Sequence, residues 1–491
     1  MKFRPPDNLD GDVAPISSEA SMDSLPVELL TSIFKHVYMQ SRVRVGFGLR
    51  VWFDNSIEPD IDTTWKDEDL TDPLLFPKVL NAVCRRWRAI SESLPIFWTR
   101  IAVFIDSTPT PLSKIQRYLE LARDQPIHFL VLRRPGTYSD VDPGEKQRCR
   151  DVIEVLRPHI RQCHTITFDV INSSSLPSIA ADFHGIASIL EKLHLNCRVD
   201  DGVAPGLARS HSPPIDIEPF VSPAITRLSL DGRNFAYACL TYPSWTQSMR
   251  KSRVRLTLHT FTPTLAQDFT FTFYDFLRIL SHLMPRHLSL SAIELYCDET
   301  AAVPQVETYI SSYEFKDLSH DSFLDMMEFS SQYAENIRIS RCPVGALHVD
   351  FACCYLTVDS IDQNEDLRLF LRGWQGSELR ISNCPGFDDG ALGILARADD
   401  VHIRSLDITN CSSFSPDQLQ RLVTGLNRAV SKLHSEGLDD REEFALDWLS
   451  VMGHQQSLTP EQEHWFQQNV RAFRWNRWET HYHQQSSHIG D

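Results

Sequence analysis

The chain has 491 residues, of which 42% are hydrophobic, and it carries a formal net charge of −17. This hydrophobic content supports a large buried core and excludes a chain that is disordered throughout. The acidic balance argues against nucleic-acid binding as the main function, because phosphate backbones require a basic surface.

The eleven cysteines are scattered, without a C-x-x-C pair or a zinc-binding spacing. The first residues, MKFRPPDNLD, do not form a secretory signal, and no apolar run reaches the length of a membrane span. We therefore expect a protein of the cytoplasm, the nucleus or both, with no membrane partner. Its cysteines are expected to stay reduced and to serve mainly as small core residues.

Shifts in composition along the chain divide it into four regions. They are a disordered leader at 1–20, a small helical domain at 22–100 with an acidic insert at about 40–72, a large repeat domain at 101–435, and a C-terminal helical cap with a polar tail at 436–491. A solvated loop explains the charge run of the insert most simply, and a segment that binds a partner is the alternative.

The stretch SMDSLPVELLTSIFKHVY predicts the first helix. Pro26 suits its first turn. Leu29, Ile33 and Val37 recur every four residues, which places them on one face of an amphipathic helix.

A second helical segment is predicted around VCRRWRAISESLPIFW, at residues 83–98. One face would hold the apolar positions that recur at three- and four-residue spacing: Leu80, Val83, Cys84, Trp87 and Ile90. The arginines lie off this face and are expected to point to solvent. A reactive thiol requires exposure and a lowered pKa, so a buried Cys84 would be a poor nucleophile. The stretch therefore favours a helical docking module over a reactive cysteine or a nucleic-acid patch.

In order along the chain, LPVELLTSIF and VCRRWRAISESLPIFWTRI resemble the two halves of an F-box, in the form common among large fungal F-box families. The resemblance covers roughly residues 22–100 apart from the insert. It implies that the module binds a Skp-type adaptor and, through it, a cullin-based ubiquitin ligase.

The positions that match the adaptor-binding face are Leu25, Pro26, Glu28, Leu29, Ile33 and Phe34. The positions that match the core of the module are Val83, Cys84, Trp87 and Trp98. The alternative is a helical cap on the following domain.

The rest of the chain alternates strand-like and helix-like runs. The strand-like runs are WTRIAVFI, IHFLVLRR, TITFDV, LEKLHLNC, ITRLSLDG, RVRLTLHT, RHLSLSAI, GALHVDFA, SELRISNC and SLDITNC. The helix-like runs between them include PLSKIQRYLELARDQ, GEKQRCRDVIEVLRPHI, ADFHGIASILEK and TFYDFLRILSHLM. Leucines recur at related spacings: Leu193 and Leu228 are 35 residues apart, and Leu347 and Leu379 are 32 apart.

The clearest repeat is the pair LRISNCPGFDDGALGIL and LDITNCSSFSPDQLQRLV, whose first leucines are 27 residues apart. The pair resembles the cysteine-containing type of leucine-rich repeat. This resemblance implies that Asn383 and Asn410 bond backbone groups in the turn and that Cys384 and Cys411 fill a narrow core site.

We therefore predict an α/β fold in which a small N-terminal helical F-box precedes an irregular leucine-rich-repeat solenoid with parallel strands and outer helices. A doubly wound sheet would also alternate strands and helices, but no glycine-rich phosphate loop follows a strand-like run. The side chains between the leucines would face the concave surface and contact a target protein: His194, Ser229, Thr257, His348, Arg380 and Asp407. For any single position, an ordinary solvated strand residue is the simpler interpretation.

The tail contains SLTPEQEHWFQQNV, which predicts a helix capped by Thr459, with Pro460 in the first turn and Gln462 completing the cap. Trp465, Asn469 and Ala472 share one face of this helix, with Phe466 and Val470 beside it, and the expected role is a cap that covers the open edge of the last repeat. The following RAFRWNRWETHYH interleaves arginine with aromatic residues, which would also suit an acidic or nucleic-acid partner.

No nucleophile elbow, P-loop or zinc-binding motif occurs, so the sequence favours a non-catalytic protein without metal or cofactor over a hydrolase or transferase. The two resemblances together predict the substrate-recognition subunit of a Skp–cullin–F-box type ubiquitin ligase. It would bind the adaptor through residues 22–100 and a target, which the sequence does not identify, through the repeats. The alternative is a leucine-rich-repeat interaction scaffold that is not engaged in ubiquitination.

Overall fold

A computed structural model describes residues 25–40, 76–134, 141–203, 205, 219–249, 254–263, 269–297, 310–330, 334–345, 350–362, 364–396, 403–435, 444–476 and 481–482. Thirteen α-helices and sixteen β-strands occur in these ranges. The chain divides into two compact units, residues 1–99 with 118–125, and residues 100–117 with 126–491.

The helices are numbered in chain order. They are α1 (Val27–Gln40), α2 (Lys78–Val83), α3 (Arg85–Glu92), α4 (Leu112–Ala122), α5 (Glu145–Leu156), α6 (Gly232–Thr241), α7 (Pro243–Ser248), α8 (Phe273–Leu283), α9 (His320–Ser330), α10 (Asn364–Arg372), α11 (Asp389–Leu395), α12 (Pro416–Ser435) and α13 (Pro460–Asn469). Short 3₁₀ helices span Pro95–Trp98, Arg157–Gln162 and Ser173–Ser175.

The strands are β1 (Arg100–Phe104), β2 (Ile127–Leu132), β3 (Cys163–Asn172), β4 (Lys192–Val199), β5 (Arg227–Asp231), β6 (Arg255–Phe261), β7 (His287–Ile293), β8 (Ser312–Lys316), β9 (Ala334–Ser340), β10 (Phe351–Asp359), β11 (Trp374–Gln375), β12 (Glu378–Ser382), β13 (Ser405–Thr409), β14 (Trp448–Met452), β15 (Ala472–Trp475) and β16 (His481–Tyr482).

The first unit buries an aromatic core between α1 and the segment that begins at Phe76. Phe76 and Phe97 pack edge to face, with ring centroids 4.7 Å apart, and Tyr38 packs on both rings. Phe34 packs edge to face on Trp87 at 4.8 Å. Such aromatic pairs stabilise a packed core beyond the burial of their area, so these contacts hold the short helices together.

Residues 78–92 form two helices, where the sequence predicts a single helical face. Helix α2 ends at Val83, Cys84 is extended with φ −157° and ψ 169°, and α3 begins at Arg85. The Cys84 sulfur accepts a hydrogen bond from the Trp87 amide at 3.4 Å and so acts as the N-cap of α3. Because one extended residue turns the second helix relative to the first, a periodicity counted across Cys84 does not predict burial.

The second unit contains one sheet whose strands follow one another in chain order, with only the two-residue β11 placed beside β10 and off this path. Neighbouring strands are parallel from β1 to β15, and β16 pairs with β15 in the antiparallel direction. A doubly wound sheet reverses its strand order at a switch point, whereas the described strands other than β11 follow the chain order without a reversal. The finding confirms an α/β fold with parallel strands, of a solenoid-like type.

Apolar rows run across one side of this sheet. Leu193, Leu228 and Leu256 are paired in register and are buried, so the leucine spacing read from the sequence does mark successive strands. Helices cover these rows: Phe323 of α9 packs edge to face on Phe315 of β8, with ring centroids 6.2 Å apart. The side chains between the buried positions form the other side of the sheet and are mostly half-buried.

Strands β8, β9, β10, β12, β13 and β14 share a turn at their carboxyl ends. The residue after each strand has a left-handed backbone: Asp317, Arg341, Ser360, Asn383, Asn410 and Gly453. The amides of the first five extend the ladder by one step, as where the Asn383 amide donates to the Thr409 carbonyl at 2.9 Å. This shared conformation keeps the turns of successive repeats in line.

Two details of the predicted repeats are wrong. The run ADFHGIASILEK forms turns instead of a helix: Gly185 has φ 76°, and Ile186 makes an isolated parallel bridge with Val221. Leu379 pairs with Leu356 of β10, where the sequence aligned it with Leu347, a residue outside the described ranges.

The C-terminal region continues the sheet, where the sequence predicts a helical cap. Strand β14 precedes α13 in the chain and β15 follows it, and both strands pair in parallel within the sheet. The predicted capping box is confirmed, since the Thr459 hydroxyl accepts from the Gln462 amide at 3.2 Å and the Gln462 side chain accepts from the Thr459 amide at 3.0 Å. Phe466, not Trp465, is the buried residue of α13, and it stacks on Phe473 at 5.0 Å.

Several predictions concern residues outside the described ranges, namely the leader at 1–20, the insert from residue 41 to 72, and His348. None of the helices in the described part of the chain combines the length and the apolar character that crossing a bilayer requires.

Candidate protein-interaction surfaces

Helix α1 presents apolar side chains on two of its faces. Leu30, Phe34 and Tyr38 are buried in the first unit. Leu29, Ile33 and Val37, which we call the α1 stripe, are 51%, 40% and 43% exposed. The four-residue spacing of the α1 stripe aligns its members along the helix, so they form one continuous apolar strip at the surface.

The other predicted adaptor contacts lie at the start of α1. Pro26 precedes the first helical residue, and its carbonyl accepts the Leu30 amide at 3.2 Å. Pro26 and Glu28 are exposed, whereas Leu25 is half-buried. The Leu25 carbonyl accepts a hydrogen bond of 2.5 Å from Arg86, which anchors this end of the helix.

Phe34 does not belong with the surface residues to which the sequence assigned it. Its side chain is 1% exposed and packs on the Trp87 ring. We correct its role to a core residue that orients α1. The correction has a simple cause: Phe34 lies one position beyond Ile33, which turns its side chain by about 100° around the helix axis, toward Trp87 of α3.

The residues assigned to the core of the module divide in the structure. Trp98 is buried, and its indole donates to the Ser91 carbonyl at 3.0 Å. Trp87 is half-buried against Phe34. Val83 is 55% exposed at the end of α2, so its assignment to the core is wrong. Cys84 is half-buried and caps α3 in place of filling the core.

Two of the three arginines of this segment, Arg86 and Arg88, hydrogen-bond to backbone carbonyls, whereas the sequence predicts that all three point to solvent. Arg86 holds the Leu25 carbonyl. Arg88 donates to the Asn81 carbonyl through Nε at 3.2 Å and through Nη2 at 2.9 Å. These bonds connect α3 to the start of α1 and to α2. Arg86 and Arg88 therefore stabilise the packing of the first unit.

The second candidate surface is the half-buried side of the sheet, which we call the polar face. The predicted positions His194, Ser229 and Thr257 are paired in register on β4, β5 and β6. Arg380 and Asp407 are paired on β12 and β13. All five residues are half-buried. The structure brings the first three together and pairs the last two, but strands β7, β8, β9 and β10 lie between the two groups.

The same register row contains positions that the sequence analysis missed. Between Thr257 and Arg380 it passes through Ser289, Glu314, Arg338 and Thr357. The sequence does contain a signal for two of these positions. YEF and IRI each place a polar residue, Glu314 or Arg338, between two apolar ones, which is the alternation of a strand. The irregular length of the repeats concealed it.

Polar contacts order the polar face. The Ser229 hydroxyl donates to the Asn196 side chain at 3.0 Å and lies 3.1 Å from Nε2 of His259. Burial, together with the charge of Lys316, lowers the pKa of His259 below its usual value, so its ring is neutral at pH 7. Arg380 lies 3.3 Å from Asp407.

The predicted turn residues make different bonds from those that the repeat resemblance implies. Asn410 donates to the Asn383 side chain at 2.9 Å, and Asn383 donates to the Asp359 carboxylate at 2.9 Å. The asparagines therefore bond to one another, not to the backbone of the turn. Cys384 and Cys411 are buried, and the Cys384 amide donates to the Cys411 sulfur at 3.4 Å.

Within the described residues, no group of three or more histidine, cysteine and acidic side chains is arranged to hold a metal ion. Comparison of the sequence with models of protein families found no match, and a search of curated proteins found none. The surfaces themselves therefore carry the functional argument.

Proposed function

We propose that this chain is the substrate-recognition subunit of a Skp–cullin–F-box type ubiquitin ligase. The α1 stripe would dock on a Skp-type adaptor, and the polar face would hold a target protein. The chain itself would perform no covalent chemistry. It would raise the local concentration of target lysines near the conjugating enzyme that the cullin recruits.

The observation that carries the proposal is the exposed apolar stripe on a helix that is already packed. A surface helix usually exposes polar residues and buries a single apolar face. Helix α1 instead keeps Leu29, Ile33 and Val37 at the surface. Burying such side chains against a partner contributes up to about 1.5 kcal/mol each, which favours docking of α1 in an apolar groove.

The F-box resemblance supplies the identity of the partner. Pro26, Glu28 and Leu29, three of the positions that match the adaptor-binding face, are exposed, which supports the proposal. The burial of Phe34 and the exposure of Val83 change which residues would touch the adaptor, but they leave the α1 stripe intact.

The test is binding of the purified full-length chain to a purified Skp-type adaptor by isothermal titration calorimetry. Ile33→Arg places a charge in the middle of the α1 stripe and should weaken binding by at least about tenfold, because a buried unpaired charge costs more than 1.4 kcal/mol. Lys35→Glu is the matched control, since it also changes the charge of an exposed residue of α1, but Lys35 lies on the side of the helix away from the stripe. It should change the affinity by less than about twofold.

Two results would contradict the proposal. If the wild-type chain does not bind the adaptor, the first unit is a structural cap. If it binds the adaptor but the complex recruits no cullin, the chain is an interaction scaffold outside ubiquitination.

A further inference from the structure

A cleft in the second unit lies between α5 and the 3₁₀ helix Ser173–Ser175. It has a volume of about 330 Å³, and the polar and thiol side chains that line it are Lys146, Cys149, Arg150, Ser174, Ser175 and Asp182. Cys149 is buried, and burial raises the pKa of its thiol far above the usual value. The thiol is therefore a poor nucleophile, and the chemistry of the cleft depends on its cations and hydroxyls.

Lys146 and Arg150 are the two cations of the cleft. They are four residues apart on α5, so their side chains lie on the same face of the helix. Neither side chain makes a hydrogen bond or an ion pair with any residue in the described part of the chain. By contrast, the neighbouring Arg148 lies 2.6 Å from Asp142. The cleft therefore holds two cations that the rest of the described structure does not use.

The electrostatic environment of Lys146 favours an additional negative charge. Burial and the charge of Arg150 lower the pKa of Lys146 below its usual value, and they outweigh the opposite effect of Asp201. An anion that contacts both side chains would relieve the repulsion between them. The cleft thus favours an anionic ligand.

The carboxylates at the cleft have partners of their own. Asp182 lies 3.9 Å from Arg157. Asp201 accepts the Ser173 hydroxyl at 2.7 Å and also accepts the Ser174 hydroxyl. Neither carboxylate forms an ion pair with the two cations of the cleft, so an anion would not have to displace one.

Ser175 adds a hydrogen-bond donor to the same cleft. The residue is only 5% exposed, and its hydroxyl makes no hydrogen bond to any of the residues that the structure describes. A hydroxyl that leaves water without gaining a partner is costly. A ligand that brings an acceptor oxygen to Ser175 would therefore be favoured.

We propose that the cleft binds a phosphate group, held between Lys146 and Arg150 and hydrogen-bonded by the Ser175 hydroxyl. The two cations match a phosphate monoester, which carries a charge of about −1.5 to −2 at neutral pH and has three acceptor oxygens. A guanidinium group can hold two of these oxygens in a bidentate manner, while the ammonium and hydroxyl groups reach the third. A carboxylate offers one charge and two oxygens, and would leave one cation unmatched.

This inference goes beyond the proposed function. The cleft is formed by α5 and the 3₁₀ helix Ser173–Ser175, whereas the proposed function uses the α1 stripe and the polar face. The phosphate group could belong to a small phosphate ester or to a phosphorylated polypeptide, and both present the same chemistry to the cleft.

The experiment is fluorescence anisotropy with the full-length chain and a labelled Gly-Ala-phosphoserine-Ala-Gly peptide, in about 0.1 M salt to screen distant charges. Otherwise identical peptides carry serine or glutamate in place of phosphoserine. Inorganic phosphate, free phosphoserine and the unlabelled phosphopeptide serve as competitors.

Three variants examine the cleft. Lys146→Gln/Arg150→Gln removes both cations. Arg161→Gln/Arg286→Gln is the matched control, because it changes the net charge equally by removing two exposed arginines that do not line the cleft. Ser175→Ala removes the hydroxyl and leaves both cations in place.

We expect the wild-type chain to bind the phosphopeptide at least about tenfold more tightly than the serine or glutamate peptide. Lys146→Gln/Arg150→Gln should abolish this preference, and Ser175→Ala should weaken binding of the phosphopeptide by at least about threefold. The control pair should change that affinity by less than about twofold.

Competition identifies the source of the phosphate group. Inorganic phosphate should displace the labelled peptide, because the cleft recognises the phosphate group itself. Equal displacement by free phosphoserine and by the phosphopeptide would assign the site to a small phosphate ester. Displacement at least about tenfold better by the phosphopeptide would assign it to a phosphorylated polypeptide.

Three results would each overturn the inference. They are the absence of any preference for the phosphopeptide, a failure of inorganic phosphate to compete, and equal losses of affinity from the cleft pair and the control pair. The last result would mean that the net charge of the chain, and not the cleft, attracts the peptide.

Discussion

Asn383 and Asn410 show how single residues align the repeats. Both have a left-handed backbone, with φ of 52° and 54°, a conformation that costs most residues roughly 1–2 kcal/mol. Asparagine tolerates it better than residues with an apolar side chain, and here each asparagine also donates a side-chain hydrogen bond toward the preceding strand. Asparagine at these positions therefore both adopts the left-handed backbone and donates a hydrogen bond to the neighbouring repeat.

We predict that Asn410→Gly destabilises the chain less than Asn410→Ala. Both substitutions remove the hydrogen bond from Asn410 to Asn383, but glycine adopts a positive φ without strain. Alanine should therefore cost about 1 kcal/mol more than glycine. Urea unfolding followed by circular dichroism measures the difference. Equal midpoints for the two variants would show that the left-handed turn contributes nothing to stability.

At the scale of elements, Cys84 determines how the helices of the first unit are arranged. It separates α2 from α3 and caps α3 through its sulfur. Its extended backbone lets Val83 point outward while Trp87 turns toward Phe34. A single continuous helix would place both residues on the same side.

If Cys84 acts as the N-cap of α3, the stabilities of two variants should follow a defined order. Cys84→Ser should be at least as stable as the wild type, because serine is a better N-cap than cysteine. Cys84→Ala should be less stable by about 1 kcal/mol. Hydrogen exchange of the α3 amides, measured by mass spectrometry, reports this element directly. The reverse order, with serine the more damaging substitution, would make Cys84 a core residue as the sequence suggested.

Element prediction succeeded where the pattern was local and failed where distant contacts decide. The strands β4 to β7 follow from L-x-L alternation alone, since alternate side chains of a strand face opposite sides. The capping box at Thr459 and Gln462 is equally local. The turns in ADFHGIASILEK were missed because the segment is held by a bridge between Ile186 and Val221, a distant contact that the sequence cannot display.

The candidate surfaces were predictable to a similar extent. The exposed α1 stripe follows from the spacing of Leu29, Ile33 and Val37, but spacing cannot say which of the two apolar faces of α1 is packed. Phe34 was misplaced for this reason, because its burial depends on Trp87, which lies far along the chain. The register row of the polar face was recognised only in part because its members are separated by repeats of unequal length and meet only through the register of the sheet.

At the scale of the whole molecule, the second unit contains a buried ion network that joins three successive repeats. Arg233 of α6 donates to Asp200 through Nε at 2.6 Å and through Nη2 at 2.7 Å. Nη2 also donates to the Thr262 carbonyl at 3.1 Å. Burial and hydrogen bonding have opposite effects on Asp200, and the bonds from Arg233 prevail, so the pKa of Asp200 lies below its usual value.

Asp231 lies in the same network without a cation of its own. It is buried and caps α6 by accepting the amides of Arg233 and Asn234, both at 3.1 Å. Burial, reinforced by the negative charge of Asp200, raises the pKa of Asp231 to about 8. One carboxylate therefore balances Arg233, and the second is protonated at neutral pH.

This arrangement makes stability depend on pH in a defined direction. In the unfolded chain Asp231 loses its proton near its ordinary pKa of 3.8, whereas the folded protein retains it until pH about 8. Between these values the folded state binds one more proton than the unfolded state, so raising the pH lowers the free energy of unfolding. Asp200 has no effect in this range, because its lowered pKa changes stability only in more acidic solution.

We predict that Asp231→Asn removes this dependence while keeping a good N-cap. Measured by calorimetry from pH 5 to pH 9, the melting temperature of the variant should rise relative to the wild type by about 2 °C or more. Asp388→Asn is the control, since Asp388 also caps a helix, α11, but its pKa is lowered by Arg368 despite partial burial. That variant should show no trend over the same range. Parallel curves for Asp231→Asn and the wild type would mean that Asp231 is charged in the folded protein, and Arg233 would then balance two carboxylates.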